Sequence, residues 1–380
     1  MLKILFFYPD NPLDINQGNN ARVNALLHYF KANNFEIDFV GEESAIFSKE
    51  DLLEFQNSKL VKKAQLIRKR KKSGLRYLFA HSILNKIKHK TGLFTRLGVG
   101  QQKDFEDILR NNQYDYILIS YVLFAPLINN KKLLKGAKTI VDTHDFFTAQ
   151  FKDHKKCKDI GTVFKTELKL LNQFDAIWAI SVEEKFIFNQ FLPHKNIELI
   201  PHGIDDKHQL KSENPSIDIF YVASPNPHNV ASIKWFFKDV YPLLKKDIKI
   251  TIVGRIINFI ENYDNVTKLE RVEDLSEFYK QSKITMCPML SGTGLKIKVV
   301  ESLSYGTPVV CNERGIDGLL NKINNGCLTT NNHKEFANYI HTLLANKDFY
   351  NQQASNAITF FNSSLSLKYV HQKLNNFFNI

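Results

Sequence analysis

Short apolar runs alternate with amphipathic stretches through the first two hundred residues. The runs Lys3–Tyr8, Glu36–Val40, Tyr116–Ser120, Lys138–Asp142, Ala176–Ile180 and Ile197–Ile200 have the length and β-branched content of buried strands. Between them, Asn20–Ala32 and Gln102–Asn111 repeat apolar residues at helical spacing. Strand and helix in strict alternation predict a parallel sheet covered by helices.

The pattern pauses at Pro201-His202-Gly203, and a polar linker runs from Asp205 to about Ser216. It then restarts with strands at Ile217–Val222, Ile248–Val253, Asn265–Leu269, Ile284–Pro288 and Pro308–Cys311. Helices are expected at Asn229–Leu244, Leu275–Gln281 and Leu295–Tyr305, and a further helical stretch over Tyr350–Ile380. The expectation is an α/β protein of two doubly wound, Rossmann-like domains, over 1–205 and 206–355, followed by a C-terminal helix, 356–380, packing back towards the first domain. Ligands of such sheets bind beyond the carboxyl ends of the strands, so two facing sheets would put the site in the cleft between them.

The run from Cys287 to Val310 reads as strand, glycine-containing loop, helix, turn and strand. Gly292 and Gly294 let backbone approach a ligand. A helix starting near Leu295 would aim free amides and its positive end at that loop, which suits a diphosphate. Lys296 and Lys298 add charge there. Glu301, one to two turns in, could accept bonds from ribose hydroxyls, or it could be a solvated helix residue. Arg255, at the end of a strand, is a candidate phosphate contact.

The series Ser291-Gly-Thr-Gly-Leu-Lys-Ile-Lys-Val-Val-Glu301 resembles the donor-binding signature of family 4 retaining glycosyltransferases of the GT-B fold, in the branch with a Gly-Thr-Gly-x-Lys-x-Lys-x-x-Glu pattern. The likeness extends to Pro225-Asn-Pro-His-Asn229, Ile252-Val-Gly-Arg255 and Val272-Glu-Asp-Leu275. In the first half, Gly18 to Arg22, Thr143-His-Asp145, Ile180-Ser-Val-Glu183 and Pro201-His-Gly-Ile-Asp205 have counterparts in the same order. The resemblance implies a donor site at Gly18, Arg255, Ser291, Gly292, Thr293, Gly294, Leu295, Lys296, Ile297, Lys298 and Glu301, with His144, Lys298 and Glu301 serving catalysis. His144 would contact the donor sugar or the reacting region, though a lone histidine can equally be structural. Asp145 would orient it or cap a helix, and Arg22 would reach the cleft or only the surface.

Two departures stand out. Thr293 replaces a glutamate that often serves the donor sugar. The stretch Ala223-Ser-Pro-Asn226 carries no Arg and Lys where many relatives grip phosphate. No histidine pair has metal-ligand spacing and no Asp-x-Asp occurs, so neither a metal nor any other cofactor is expected beyond the nucleotide-sugar substrate.

Charge changes the picture at one place. The chain of 380 residues has a formal charge of +12, and Phe55–Lys103 holds no acidic residue at all. This insertion near 55–103 leaves the remainder close to neutral. Within it, 59–90 interleaves bases with Leu, Ile, Val, Tyr and Phe, as a basic amphipathic helix or helix pair does. An anionic membrane surface, an anionic acceptor and a plain solvated insertion are the open readings. Nucleic acid is not expected, since no recognition motif accompanies the charge. Cys157, Cys287, Cys311 and Cys327 are scattered, and no run is apolar enough for a membrane span. A cytoplasmic chain, peripheral at the inner face of the membrane, is expected.

The resulting expectation is transfer of a sugar, with retention, from a nucleotide-diphosphate sugar to a saccharide or lipid-linked acceptor in surface polysaccharide or lipopolysaccharide synthesis. A non-catalytic partner subunit of the same fold is the alternative. A nucleotide-sugar epimerase is a lesser one.

Overall fold

The computed structural model describes residues 1–15, 18–68, 95–152, 154, 157, 159–292 and 294–380. The chain forms two compact units, Met1–Ile200 and Pro201–Ile380.

The first unit runs β1 (Lys3–Phe7), α1 (Gly18–Ala32), β2 (Glu36–Glu42), α2 (Lys49–Asn57), β3 (Lys63–Ile67), α3 (Gln101–Asn111), β4 (Tyr116–Ser120), β5 (Lys138–Asp142), α4 (Phe147–Phe151), α5 (Ile160–Leu171), β6 (Ala176–Ala179), α6 (Val182–Phe191) and β7 (Asn196–Leu199). Its seven strands lie in the order β3-β2-β1-β4-β5-β6-β7 and are all parallel. The central strands are buried on both faces: Ile117, Leu118 and Ile119 of β4 are fully enclosed. Continuous apolar runs are what such strands require. Each of these side chains contributes about 1.5–3 kcal/mol of burial.

The second unit runs β8 (Ile217–Val222), α7 (Pro227–Trp235), β9 (Ile250–Val253), β10 (Val266–Leu269), α8 (Ser276–Gln281), β11 (Ser282–Cys287), α9 (Ile297–Ser304), β12 (Val309–Cys311), β13 (Cys327–Thr329), α10 (His333–Ala345), α11 (Lys347–Ser364) and α12 (Leu367–Phe378). Six parallel strands take the order β10-β9-β8-β11-β12-β13. In each sheet the chain reverses its direction of winding once, between β1 and β4 and between β8 and β11. A crevice opens at the carboxyl ends of the strands at such a reversal.

Several elements depart from the sequence reading. The basic amphipathic helix expected over 59–90 contains an edge strand instead. β3 pairs with β2 from Lys63 to Ile67, burying Ala64 and Ile67 while Lys63 faces solvent. Lys63, one of the bases that suggested a solvated helix face, also protects a sheet edge. Residues 69–90 of that segment lie outside the described residues. The helix expected over Asn229–Leu244 is α-helical only to Trp235. It then widens into a π-turn over Phe236–Val240 and closes as a 3₁₀ turn at Tyr241–Leu243. Pro242 has no N–H to continue the ladder.

The C-terminal stretch 356–380 is not one helix, because α11 and α12 break at Leu365–Ser366, where Ser366 caps α12. This stretch also moves the unit boundary to 200. Ile204 N donates to Leu365 O (3.2 Å) and Leu367 N donates to Ile204 O (2.9 Å), which ties residues 201–204 to the end of the second unit. Gly203 packs there, where any Cβ would come within 2.7 Å of Val370. No described helix is long and apolar enough to cross a membrane.

Candidate functional site

The carboxyl end of β11 carries the glycine motif, and that of its neighbour β8 leads into α7. The loop after β11 turns through Gly292 (φ 95°) and Gly294 (φ 78°), both left-handed and both requiring glycine. Thr293, between them, lies outside the described residues. α9 begins at Ile297, two residues later than expected, with Lys296 at its N-cap. Leu295 packs beside Gly318. At the end of β9, Gly254 (φ 110°) lets the chain pass Ala223, where a Cβ would come within 2.2 Å of the Ala223 carbonyl oxygen. Arg255 follows immediately and is exposed.

The two lysines of the motif do different things. Lys296 is buried and donates from Nζ to Gly294 O at 2.7 Å, supporting its own loop. Lys298 is half-buried. Its ammonium sits 4.7 Å from the centre of the Tyr221 ring, with one weak polar contact, Asn229 Oδ1 at 3.5 Å. Burial pushes its pKa down, against the opposing pull of Cys287 and Glu301. Among the described residues no carboxylate forms an ion pair with it. An ammonium withdrawn from water without a counter-ion is costly unless an anion arrives.

Glu301 lies one turn beyond Lys298 on α9. Tyr279 Oη donates to its Oε2 at 2.8 Å, leaving Oε1 unpartnered among the described residues. Burial pushes this carboxyl up, while Tyr279, Lys207 and Lys298 hold it down. On the facing side, α7 starts at Asn226, whose side chain accepts from Asn229 N. His228 Nδ1 meets Ser291 Oγ at 2.8 Å, and the ring lies against Gly292. Asn229 donates to Ser224 O at 2.9 Å.

The first unit has its own cluster at its winding reversal. His144 follows β5 with φ 57°, and Tyr121 follows β4 with φ 64°. Two non-glycine residues in the left-handed region cost about 1 kcal/mol or more each, and such strain collects at functional sites. Three rings gather there nearly parallel: His144 to Tyr121 at 4.5 Å, His144 to Tyr8 at 5.7 Å and Tyr8 to Tyr121 at 6.2 Å. His144 Nε2 lies 3.2 Å from Asp142 Oδ2 and 3.1 Å from Ser120 Oγ. Asp142 is fully buried and would be pushed up by burial, but Arg22 and His144 hold it well below the usual carboxylate range. An ionised acceptor there puts the imidazole proton on Nε2. Nδ1, also buried, is left without a partner among the described residues.

Arg22 reaches neither a cleft nor the surface. It is buried and bidentate on Asp142, Nη2 to Oδ1 at 2.7 Å and Nε to Oδ2 at 2.9 Å. Gly18 opens α1 beyond the carboxyl end of β1 and is exposed. Asp145 is half-buried, and burial pushes its carboxyl up. Thus His144 lies in a first candidate site, in the unit where Gly18 opens α1, and Ser291, Gly292, Gly294, Leu295, Lys296, Ile297, Lys298 and Glu301 follow β11 in a second candidate site; Arg255 follows β9, two strands from β11 in the sheet order. The sequence reading missed Tyr8, Tyr121 and Asp142 in the first site. In the second it missed Tyr221 and Tyr279, and it quoted His228 and Asn229 without a role. Only the Pro-Asn-Pro-His-Asn run gave a signal, as a helix start. Among the described residues no cluster of His, Cys, Asp or Glu could hold a metal ion.

Comparison with known proteins first defines the class. The whole chain superposes on Anabaena HepE in complex with UDP-glucose, covering 100% of each chain with a TM-score of 0.67 at 14% identity. It superposes on S. aureus TarM in complex with fondaparinux, α-GlcNAc-glycerol and UDP, again covering 100% of each, at 0.64 and 14%. Sucrose-phosphate synthase of Thermosynechococcus elongatus gives 0.67 and 14%, over 100% of this chain and 98% of that one. The fold is GT-B. More narrowly, residues 216–346 match the family described as "Glycosyl transferases group 1". Over 98% of its length the chain is 23% identical to an "Uncharacterized 44.6 kDa protein in cps region" of Klebsiella pneumoniae, 99% of which is covered.

Proposed function

We propose that this protein is a glycosyltransferase whose second unit binds a nucleotide-diphosphate sugar, and which transfers the sugar with retention to a saccharide or lipid-linked acceptor in bacterial polysaccharide synthesis. The observation that carries this reading is Lys298, a half-buried ammonium with no carboxylate partner among the described residues, beside a two-glycine loop at the winding reversal of the sheet. A diphosphate supplies the missing counter-charge. In this reading Glu301 Oε1 accepts from a ribose hydroxyl, while Tyr279 holds the other oxygen.

In this reading the bond from the sugar's anomeric carbon to the diphosphate breaks, and a bond to the acceptor oxygen forms on the same face. The acceptor's proton passes to the leaving diphosphate. Lys298 stabilises the charge that develops on that group. His144 serves the sugar or acceptor side of the reaction once its Nδ1, buried in this structure, is uncovered; Asp142 and the two tyrosines hold its ring. The HepE complex with UDP-glucose and the cps-region relative support the donor class and the pathway. The peripheral association at the inner membrane face and the anionic surface expected for 59–90 remain part of the proposal, with β3 as the described end of that segment.

The test is calorimetric titration and thermal shift with UDP, GDP, ADP and their sugar conjugates, on the wild type, Glu301→Ala and Lys298→Ala. One base family should stabilise the wild type by about 2.7 kcal/mol at a hundred times Kd and so raise its midpoint, and both variants should lose the rise. No binding of any member refutes the donor site. The uncharged Ala223–Asn226 stretch favours one second reading, a non-catalytic partner subunit. Sugar transfer by the purified chain, abolished in Lys298→Ala, excludes it.

A further inference from the structure

We infer that His228 is a donor-binding residue which grips the diphosphate from the side opposite Lys298, in place of the Arg and Lys absent from Ala223–Asn226. This rests on the donor site proposed above.

The loop after β8 offers no charged side chain before His228. His228 stands in the first turn of α7, exposed, at the carboxyl end of the strand where the winding reverses. Its ring is not free to swing. Nδ1 is engaged by Ser291 Oγ at 2.8 Å, and Gly292 lies against the ring, close enough that an added Cβ would sit 3.5 Å from Cγ. The next residue, Asn229, contacts Lys298. The first turn of α7 is therefore joined to the glycine motif at two points, His228 to Ser291 and Asn229 to Lys298.

At these points stand one imidazole and one ammonium that has no counter-ion among the described residues. When the Ser291 hydroxyl donates to Nδ1, the imidazole proton resides on Nε2, which has no partner among the described residues. Nε2–H is then an oriented donor. A phosphate oxygen is the acceptor that satisfies it and Lys298 together. Tyr221 completes the arrangement beneath Lys298, where its ring holds the ammonium in place of a carboxylate that would compete with phosphate.

The experiment compares Kd for each nucleoside diphosphate and its own monophosphate (UDP and UMP, GDP and GMP, ADP and AMP) in the wild type, His228→Ala, His228→Gln and Ser291→Ala. Circular dichroism melts check the fold of each variant. His228→Ala should weaken the diphosphate about 10–100-fold, the equivalent of one charge-assisted hydrogen bond. It should leave the monophosphate within about 2-fold. His228→Gln, which retains an N–H donor, should recover most of the loss, and Ser291→Ala should fall between. Unchanged diphosphate binding in His228→Ala overturns the role of His228 while the donor site stands. Equal loss of mono- and diphosphate also overturns it, since that pattern marks a disturbed loop. A wild type that binds no nucleotide overturns the donor site and this inference together.

Discussion

Replacing Arg22 with leucine leaves the Asp142 carboxylate enclosed without its guanidinium. Both side chains are essentially inaccessible, 3% and 0% exposed, and the pair is bidentate. Breaking a buried pair of this kind costs about 3–5 kcal/mol, several times the value of a surface pair. For a unit of this size that is a midpoint drop of roughly 6–20 °C. The assay has a built-in reporter. The chain has two tryptophans, and Trp178 of β6 is paired with Asp142 of β5 in the sheet register. In a Trp235→Phe background, Trp178 fluorescence follows the first unit alone. Asp142 adds a pH signature. Its folded pKa lies below its unfolded value, so the stability it contributes is present above about pH 4. That contribution is lost as pH falls through the folded value. The gap between wild type and Arg22→Leu should therefore be full at pH 7 and close in acid. The double variant Arg22→Leu/Asp142→Asn should recover part of the loss at pH 7. A loss under about 1 kcal/mol, or a gap independent of pH, would refute the reasoning, because it would show the pair behaving as a solvated one.

Lys298→Met should leave the unliganded midpoint unchanged or higher, since it removes a half-buried charge with no carboxylate partner among the described residues, while weakening nucleoside diphosphate binding by at least about tenfold. Calorimetry and a thermal melt decide this together. Glu184 and Glu167 are buried, and burial pushes both carboxyls up to about 7 despite the bonds that Thr143 and Thr148 donate. A raised folded value means stability is full below the unfolded value and declines as pH rises to 7, on the order of 1 kcal/mol per pH unit for each group. The Glu184→Gln/Glu167→Gln variant should flatten that slope in a midpoint-against-pH series. Gly254→Ala should destabilise the second unit by more than about 1 kcal/mol, followed by Trp235 fluorescence, because the residue needs φ 110° and contact with the Ala223 carbonyl.

The doubly wound architecture was legible because strands buried on both faces must be continuous apolar runs. β4 and β5 were placed to the residue, and β8 as well. β13 escaped because Cys327-Leu-Thr329 is too short to show a period. β3 escaped because Lys62 and Lys63, at its start, read as part of a basic helix face. The glycine loop and Glu301 were legible through motif order, but their partners were not. Tyr221 and Tyr279 look like any core aromatic in the sequence, and nothing in a linear reading says that one underlies an ammonium and the other grips a carboxylate. Arg22 and Asp142 are 120 residues apart. Their pairing is a product of strand order, which alternation alone does not specify.

The two hydrogen bonds between Ile204 and the Leu365–Leu367 segment bear on how the chain is made. The first unit uses only residues up to 200, so it can complete its sheet while the rest is still being synthesised. The second cannot. Ile204 lacks both of these backbone partners until residues 365–367 leave the ribosome, and Gly203 has no Val370 to pack against. A nascent chain halted before that point would carry a finished first half and an unclosed second. Such chains should be the ones that chaperones hold and proteases trim back to about residue 200.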